Sequence, residues 1–553
     1  MRRSLKKKVE ILLILLLAIL SSISCSSSNL VQETSVPIIT EPTTFASANA
    51  EIEKTETIEI VIDNSIWFDQ GTPELFRVEV LQNNPKLTIE AEELAGISVN
   101  LEPSGNLIGD WLYVLAAPFP TLKDNIQFED LIHFWQGTNI GMPFQHLLLS
   151  EDTYHTLVHL LGEENNPNVL ITEPDKLLTS AWGNNQTTWV ILPFQELGPK
   201  WKVISIDQQK PTSPGFSTDE YKLNVNIYSS GKDDLSKNGI FSNFQKDKIT
   251  TINMTGVTAL VRATAVLMEK YGVQYPAEEI KSILIEADYT HISNEVSFAV
   301  DCPPPKYQME ALQFCSSPDY IELLIDIDAD IIEFTGDHLE DWGVDAIYYT
   351  LDLYRQNNIA VYGGGNSLAK AKQPLIINHN GNQIAFLGCN AKSPSYAHAA
   401  EQYPGTWFCD FDELSRTIHK LSSEGINTIV TIQHKEVDHF VPTTEIVDDF
   451  AKLANAGATV IIGSQSHQPQ TMTFQENTFI HYGLGNLFFD QYNESQANRL
   501  SFIDRLVFYE NKLVSVELFA NQFVDWAKSR PMTVEEKEEF LSMMFELSGW
   551  GEN

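Results

Sequence analysis

Eight short runs of β-branched and other apolar residues constrain this fold most: "ITTINMTG", "ADYTHISNE", "ADIIEFTG", "NQIAFLGCN", "NTIVTIQH", "ATVIIGS", "TFIHYGLG" and "LVSVELFA", all from Ile249 onward. Amphipathic stretches with helical spacing lie between them, at residues 263–271, 276–287, 341–358, 410–425 and 444–456. Strands alternating with helices predict an α/β domain built on parallel sheet. Nearly every run ends in small or polar residues, and in such folds that edge is where ligands sit.

The chain before it reads as a second α/β unit over residues 55–230, from "IEIVI", "WLYVLAAPFP", "FEDLIHFWQG", "HTLVHLLG", "TTWVILPF" and "KWKVISI". "VLAAPFPTLKDNIQFEDLIHFWQG" followed by "WVILPFQELGPKWKVISID" resembles the periplasmic solute-binding fold, which implies a binding module; a structural spacer fits the same letters. The polar, turn-rich residues 228–248 mark a boundary. The second unit runs over 249–530, and 531–553 forms a C-terminal helix and tail.

The chain opens with five basic residues, then the apolar run Ile11 to Leu20, and reaches Cys25 behind small residues. This predicts a signal peptide over 1–24. The run is short of the roughly 20 residues that span a bilayer. Residues 25–54 form a Ser/Thr/Pro-rich tether. The layout resembles a bacterial lipoprotein signal, which implies a lipid on Cys25 and a protein held on the outer face of the cell membrane; an ordinary cysteine behind a plain signal is the alternative. Removing residues 1–24, with five bases and one acid, takes the net charge from −38 to −42. Such a surface repels nucleic acid, and an anionic substrate needs a local positive focus. In an exported chain Cys302 with Cys315, and Cys389 with Cys409, fit two disulfides better than a thiolate metal site.

The strand-end clusters run in order "TGVTALVR", "SNE", "TGDHLEDWG", "QHKEVDH", "GSQSH" and "GLGNLFFDQ". From about Thr251 to Leu518 this series resembles the capsule-synthesis CapA family, also described as poly-γ-glutamate synthesis proteins. The resemblance implies a four-layer α/β/β/α sandwich of the calcineurin-like metallophosphoesterase type. It also implies a link to envelope-polymer synthesis and its capsule-synthesis machinery.

The resemblance carries roles to particular residues. Gly256 and Arg262 match the family's opening motif, but Val257 stands where a carboxylate is usual. Asn294 and Glu295 match the second motif, and Asp337, His338 and Asp341 the third. Asp337 is expected to keep an oxygen donor, His338 to move a proton, and Asp341 to begin the following helix. In "QHKEVDH" one register aligns Gln433 and Val437 with the family's His and Glu; a shift by one uses His434 and Asp438. In "GSQSH" only His467 of the family's imidazoles remains, behind Ser464, Gln465 and Ser466, and Asn486 closes the series. The resemblance thus implies His338, Asp337, Arg262 and Glu295 as catalytic residues, and Asn294, Gln465 and Asn486 as ligand-binding ones. It leaves at most one divalent cation on Asp337, His434 and His467. Two functions follow: a divergent hydrolase-like enzyme acting on an envelope polymer, or a lipoprotein that binds or assembles such a polymer or a small solute.

Overall fold

The computed structural model describes residues 64–551 except 139–140, 184–186, 309–310 and 393–396. The expected signal peptide, tether, lipidated Cys25 and "IEIVI" strand lie outside the described residues. Among the described residues no helix is long and apolar enough to cross a membrane.

The first part of the described chain forms a ten-stranded mixed sheet. Its central strand, Asn106–Pro118, is buried over its last eight residues. It pairs antiparallel with Asn224–Gly231 on one side and Thr188–Pro193 on the other. The expected helical segments form Phe128–Trp135 and Glu151–Leu161. Ser150 starts the second by accepting from the Thr153 amide, and Glu151 and Asp152 complement its positive end. Phe241–Ser242 still pairs with the central strand, so this sheet reaches into the turn-rich stretch.

From Ile249 two further sheets form. In the first, Ile249–Thr255, Tyr289–Asn294, Ala329–Glu333 and Ala360–Tyr362 run parallel. Leu500–Tyr509 joins them antiparallel and returns as Lys512–Phe523. In the second, Asn382–Asn390, Asn427–Gln433, Val460–Gly463 and Thr478–His481 are parallel, edged by Leu375–His379 and Met472–Gln475. Ile252, Met254 and Leu506 of one sheet share a core with Phe386, Ile429 and Val460 of the other. The opposite face of the first sheet packs on Arg262–Tyr271, Ile321–Asp326 and Val344–Gln356. The opposite face of the second packs on Phe411–Ser423 and Thr444–Asn455. The result is four layers, α/β/β/α. Parallel strands covered on both faces read as continuous apolar runs, which is why the sequence announces them clearly.

Two elements depart from expectation. The segment 276–287 is two short pieces, Tyr275–Ala277 and Lys281–Glu286, which still bury Ala277, Ile280 and Leu284. Leu500–Tyr509 escaped the pattern because Asp504 and Arg505 interrupt its apolar run; both are buried and paired, Asp504 with His481 at 2.6 Å and Arg505 with Asn253 and Glu286 at 3.0 and 2.8 Å. The expected C-terminal helix forms over Val534–Leu547. It opens on a capping box of Thr533 and Glu536 and adds Phe540, Leu541, Met544 and Phe545 to the core between the sheets.

Both expected disulfides are present, Cys302–Cys315 with Cα atoms 5.7 Å apart and Cys389–Cys409 with 5.0 Å. The second ties the end of a central strand to the segment that returns beside it.

Candidate functional site

The parallel strands deliver their C-terminal ends to one edge, and the loops leaving them carry the candidate residues. Glu295 follows Tyr289–Asn294, Asp337 and His338 follow Ala329–Glu333, and Ser464 to His467 follow Val460–Gly463. Close backbone approach makes this possible. At Gly336 an added Cβ would lie 2.6 Å from the Glu295 Cα, so only glycine lets these two loops touch.

Glu295, Asp337 and His338 meet, with one ligand atom from each lying within 4.8 Å of the others. Both oxygens of Asp337 are engaged. Oδ2 accepts from Lys392 Nζ at 2.7 Å and Oδ1 from Gln433 Nε2 at 3.0 Å. Gln433 also donates to Gln465, whose Nε2 donates to Glu295 Oε1 at 3.4 Å. Glu295 Oε2 is buried and accepts no hydrogen bond in the structure. His338 Nδ1 meets Asp341 Oδ2 at 2.6 Å, and the same oxygen accepts from the Phe314 amide at 2.9 Å.

The charges follow from these contacts. Burial, then the charge of Asp337, pushes the Glu295 carboxyl well above the usual carboxylate range. Asp337 is held below that range: burial opposes its charge, but the hydrogen bond that a protonated Glu295 gives it and the cations His338 and Lys392 outweigh that cost. Two buried carboxyls this close resist ionising together, so the pair titrates as a unit, with Glu295 driven up and Asp337 down. His338 is pushed up to about 9, against burial, by its hydrogen bond to Asp341 and by the negative charge of Asp337 and Asp341. Burial pulls His467 the other way, so its ring is neutral at neutral pH.

His467 is linked to this cluster through Glu436 and Lys392. Its Nδ1 meets Asn486 Oδ1 at 2.8 Å, its Nε2 faces Glu436 at 3.6 Å, and its ring stacks on Phe489 with centroids 4.9 Å apart. Asn486 also donates to the His467 carbonyl at 3.2 Å, so it positions that loop. Arg262 lies behind this wall, paired with Asp490 at 2.5 Å. Its guanidinium sits 5.2 Å from the Phe314 ring and 5.0 Å from the Phe489 ring. It reaches the cluster only through Phe314, which packs on His338, and Phe489.

Other expected residues face elsewhere. Asn294 spends its amide on the Val296 carbonyl and the Tyr354 hydroxyl, both at 2.7 Å, and braces the loop. His434 turns away: its Nε2 meets Asp449 at 3.0 Å and its Nδ1 accepts from the Lys435 amide at 2.8 Å. It does not join Asp337 and His467, and Gln433, last residue of its strand, is the side chain that points to Asp337. The helix after Asp341 begins at Val344 behind Gly343 (φ +82°), so Asp341 is the partner of His338 rather than a cap.

Two groups were missed. Lys392 is the cation behind "FLGCNA", where a lone lysine after a strand carries no pattern. Glu333 hides inside an apolar strand, with Oε1 accepting from Ser464 and Thr335, each at 2.6 Å.

The resemblance of the strand-end motifs to metallophosphoesterases implies two metal ions, and these residues do not fit two. Val257 is buried among Ala259, Val261, Val296, Phe314 and Phe489 and offers no donor. Gln433, Ser464 and Gln465 spend their polar atoms on one another and on carboxylates, and amide and hydroxyl groups replace imidazole poorly around transition metals. Glu295, Asp337 and His338 are close enough to hold one cation.

Residues 244–491 match the protein family described as "Bacterial capsule synthesis protein PGA_cap". The chain is similar to "Capsule biosynthesis protein CapA" of Bacillus anthracis, 22% identical over 248 residues, which is 44% of this chain and 60% of that protein. It is also similar to "PGA biosynthesis protein CapA" of Bacillus subtilis (strain 168), 23% identical over 249 residues, 44% of this chain and 64% of that protein. The matched region spans less than two thirds of either relative. Among solved structures, a 5'-nucleotidase precursor from Thermus thermophilus aligns with TM-score 0.33 and 12% identity over 54% of this chain and 58% of that one. An ABC-type phosphate transport receptor from Vibrio cholerae aligns with TM-score 0.27 and 12% identity over 32% and 90%.

Proposed function

We propose that this chain is an exported, divergent hydrolase-like enzyme that cuts amide bonds in a cell-envelope polymer of the poly-γ-glutamate type. The observation that carries the reading is the meeting of Glu295, Asp337 and His338, whose ligand atoms lie within 4.8 Å of one another and whose contacts drive Glu295 up and Asp337 down, with His467 linked to them through Glu436 and Lys392. Groups whose environments drive their pKa values apart are suited to opposite roles in proton transfer. In this scheme His467 takes a proton from the attacking water as its oxygen bonds to the amide carbon. Glu295, with His338 behind it, gives a proton to the leaving nitrogen as the C–N bond breaks. Similarity to proteins named for capsule and PGA biosynthesis supports the choice of polymer.

Purified chain incubated with poly-γ-glutamate is expected to shorten it, followed by gel filtration. Glu295→Gln and His467→Ala should each slow this by about 10²- to 10⁴-fold, the usual contribution of a general acid or base. If the wild-type chain leaves polymer length unchanged across the range from mildly acidic to mildly basic pH, the enzymatic reading fails. Retention of intact polymer on immobilised protein would then support the binding or assembly role.

The site of action in this proposal is the outer face of the membrane, with Cys25 carrying the lipid. The charged start, short apolar run and Ser/Thr/Pro tether motivate it. Cys25→Ser should move the protein from the membrane fraction to the soluble one; equal membrane retention of both forms would refute the anchor.

A further inference from the structure

We infer that the ammonium of Lys392 is the resident cation of this cleft, standing where a metallohydrolase of this fold would carry metal charge, and that it offers an N–H to a carbonyl or carboxylate oxygen of the substrate. The inference rests on the same cleft being the working site.

Lys392 is placed by more than its own side chain. Its amide donates to Asn390 Oδ1 at 2.7 Å, and Asn390 Nδ2 donates to the Thr335 carbonyl at 2.8 Å, which ties it to the loop that carries Asp337. The Ala391 amide donates to the Gln433 carbonyl at 2.8 Å, Asn390 bonds the 407–409 segment through its own backbone, and Cys389–Cys409 locks that contact covalently. The side chain then has one destination. Its Nζ lies 2.7 Å from Asp337 Oδ2 and 3.6 Å from Glu436 Oε2, while Glu436 faces His467. Lys392 thus joins Asp337 to Glu436 and, through it, to His467. An ammonium has three donors, and these contacts leave one to meet an incoming oxygen. Its side chain is about one-fifth exposed, so that donor is reachable.

The same geometry explains why neighbouring ligands are missing. With a fixed positive charge on Asp337, a second cation would be repelled and would find Asp337 already saturated. Val257, Gln433 and Gln465 then carry no penalty, because no metal is there to lose a ligand.

The test is metal content and affinity in the full chain, a readout independent of polymer cleavage. Wild-type protein dialysed against Mn²⁺ and then metal-free buffer is expected to retain none by elemental analysis. Lys392→Ala frees Asp337 Oδ2 and Glu436, and should bind Mn²⁺ at least about tenfold more tightly, the scale on which support around a metal site alters affinity. Adding Asp337→Asn should remove that gain. Lys392→Arg keeps the charge and should behave as wild type, which also guards against misfolding of the alanine variant. Wild-type protein that retains a full equivalent of Mn²⁺, lost on Asp337→Asn, would overturn the inference. So would a folded Lys392→Ala protein, judged by its melting curve, with no gain in Mn²⁺ affinity. Cleavage that fails while these metal results hold would count against the enzymatic reading alone.

Discussion

Gly463→Ala is expected to leave almost no folded protein, with a loss of stability above about 4 kcal/mol, the range reserved for gross steric or burial defects. An added Cβ would fall 1.9 Å from the Tyr482 carbonyl oxygen and 2.7 Å from its carbon, so the obstacle is backbone, which has no rotamer to yield. The strand Val460–Gly463 is held on both sides, by Asn427–Gln433 and by Thr478–His481, so the sheet cannot open without giving up a ladder. Backbone angle is not the issue, because Gly463 is absent from the residues with positive φ. Gly198→Ala, where nothing lies within 4 Å of the new methyl, is the control and should be near neutral. Urea unfolding of the two variants would check this. A Gly463→Ala protein within about 0.5 kcal/mol of wild type, the ordinary scatter of surface changes, would show that the strand ends are not packed as described.

Glu295→Gln should make the protein more stable as pH rises, while removing the acid from the cleft. The folded-state pKa of Glu295 is pushed up to about 8 by burial and by Asp337, from an ordinary value of 4.5. Below that ordinary value both folded and unfolded chains hold the proton, and the contribution to stability is complete. Above it the unfolded chain releases the proton and the folded chain does not, so stability falls as pH climbs, by up to about 1.4 kcal/mol per unit, and the fall ends once pH passes about 8. Glutamine has no proton to lose, and its amide can donate toward Asp337. Wild type and variant should therefore differ little near pH 4.5 and diverge toward pH 8, with the variant ahead by at least about 2 kcal/mol. Thermal melts across that range decide it: parallel curves would mean that Glu295 is ionised in the fold.

Most of the second part of the fold is legible because buried parallel strands and amphipathic helices each impose a period on the sequence. What the period leaves out is equally instructive. The strand Leu500–Tyr509 hides behind Asp504 and Arg505, whose partners His481, Asn253 and Glu286 are distant in sequence. The choice between Gln433 and His434 turns on one position, and neighbouring side chains at a strand end point to opposite faces. Composition favoured the histidine; register gave the place to glutamine. Asp341 looked like a helix cap because acids favour first turns, yet the turn at Gly343 frees it to hold His338. Lys392 belongs to no local pattern at all, since its meaning lies in a carboxylate on the loop of another strand.

The ten-stranded sheet and the sandwich share packing. Ile249, Val507, Tyr509 and Val514 belong to the core of the first part, and the Tyr509 ring sits 5.0 Å from Phe194 while its hydroxyl donates to the Asn243 carbonyl at 3.2 Å. Phe119 of the first part lies against Phe474, Phe479 and Phe545 of the second. With buried rings of each part packed into the other, the two parts are expected to unfold in one transition rather than one after the other.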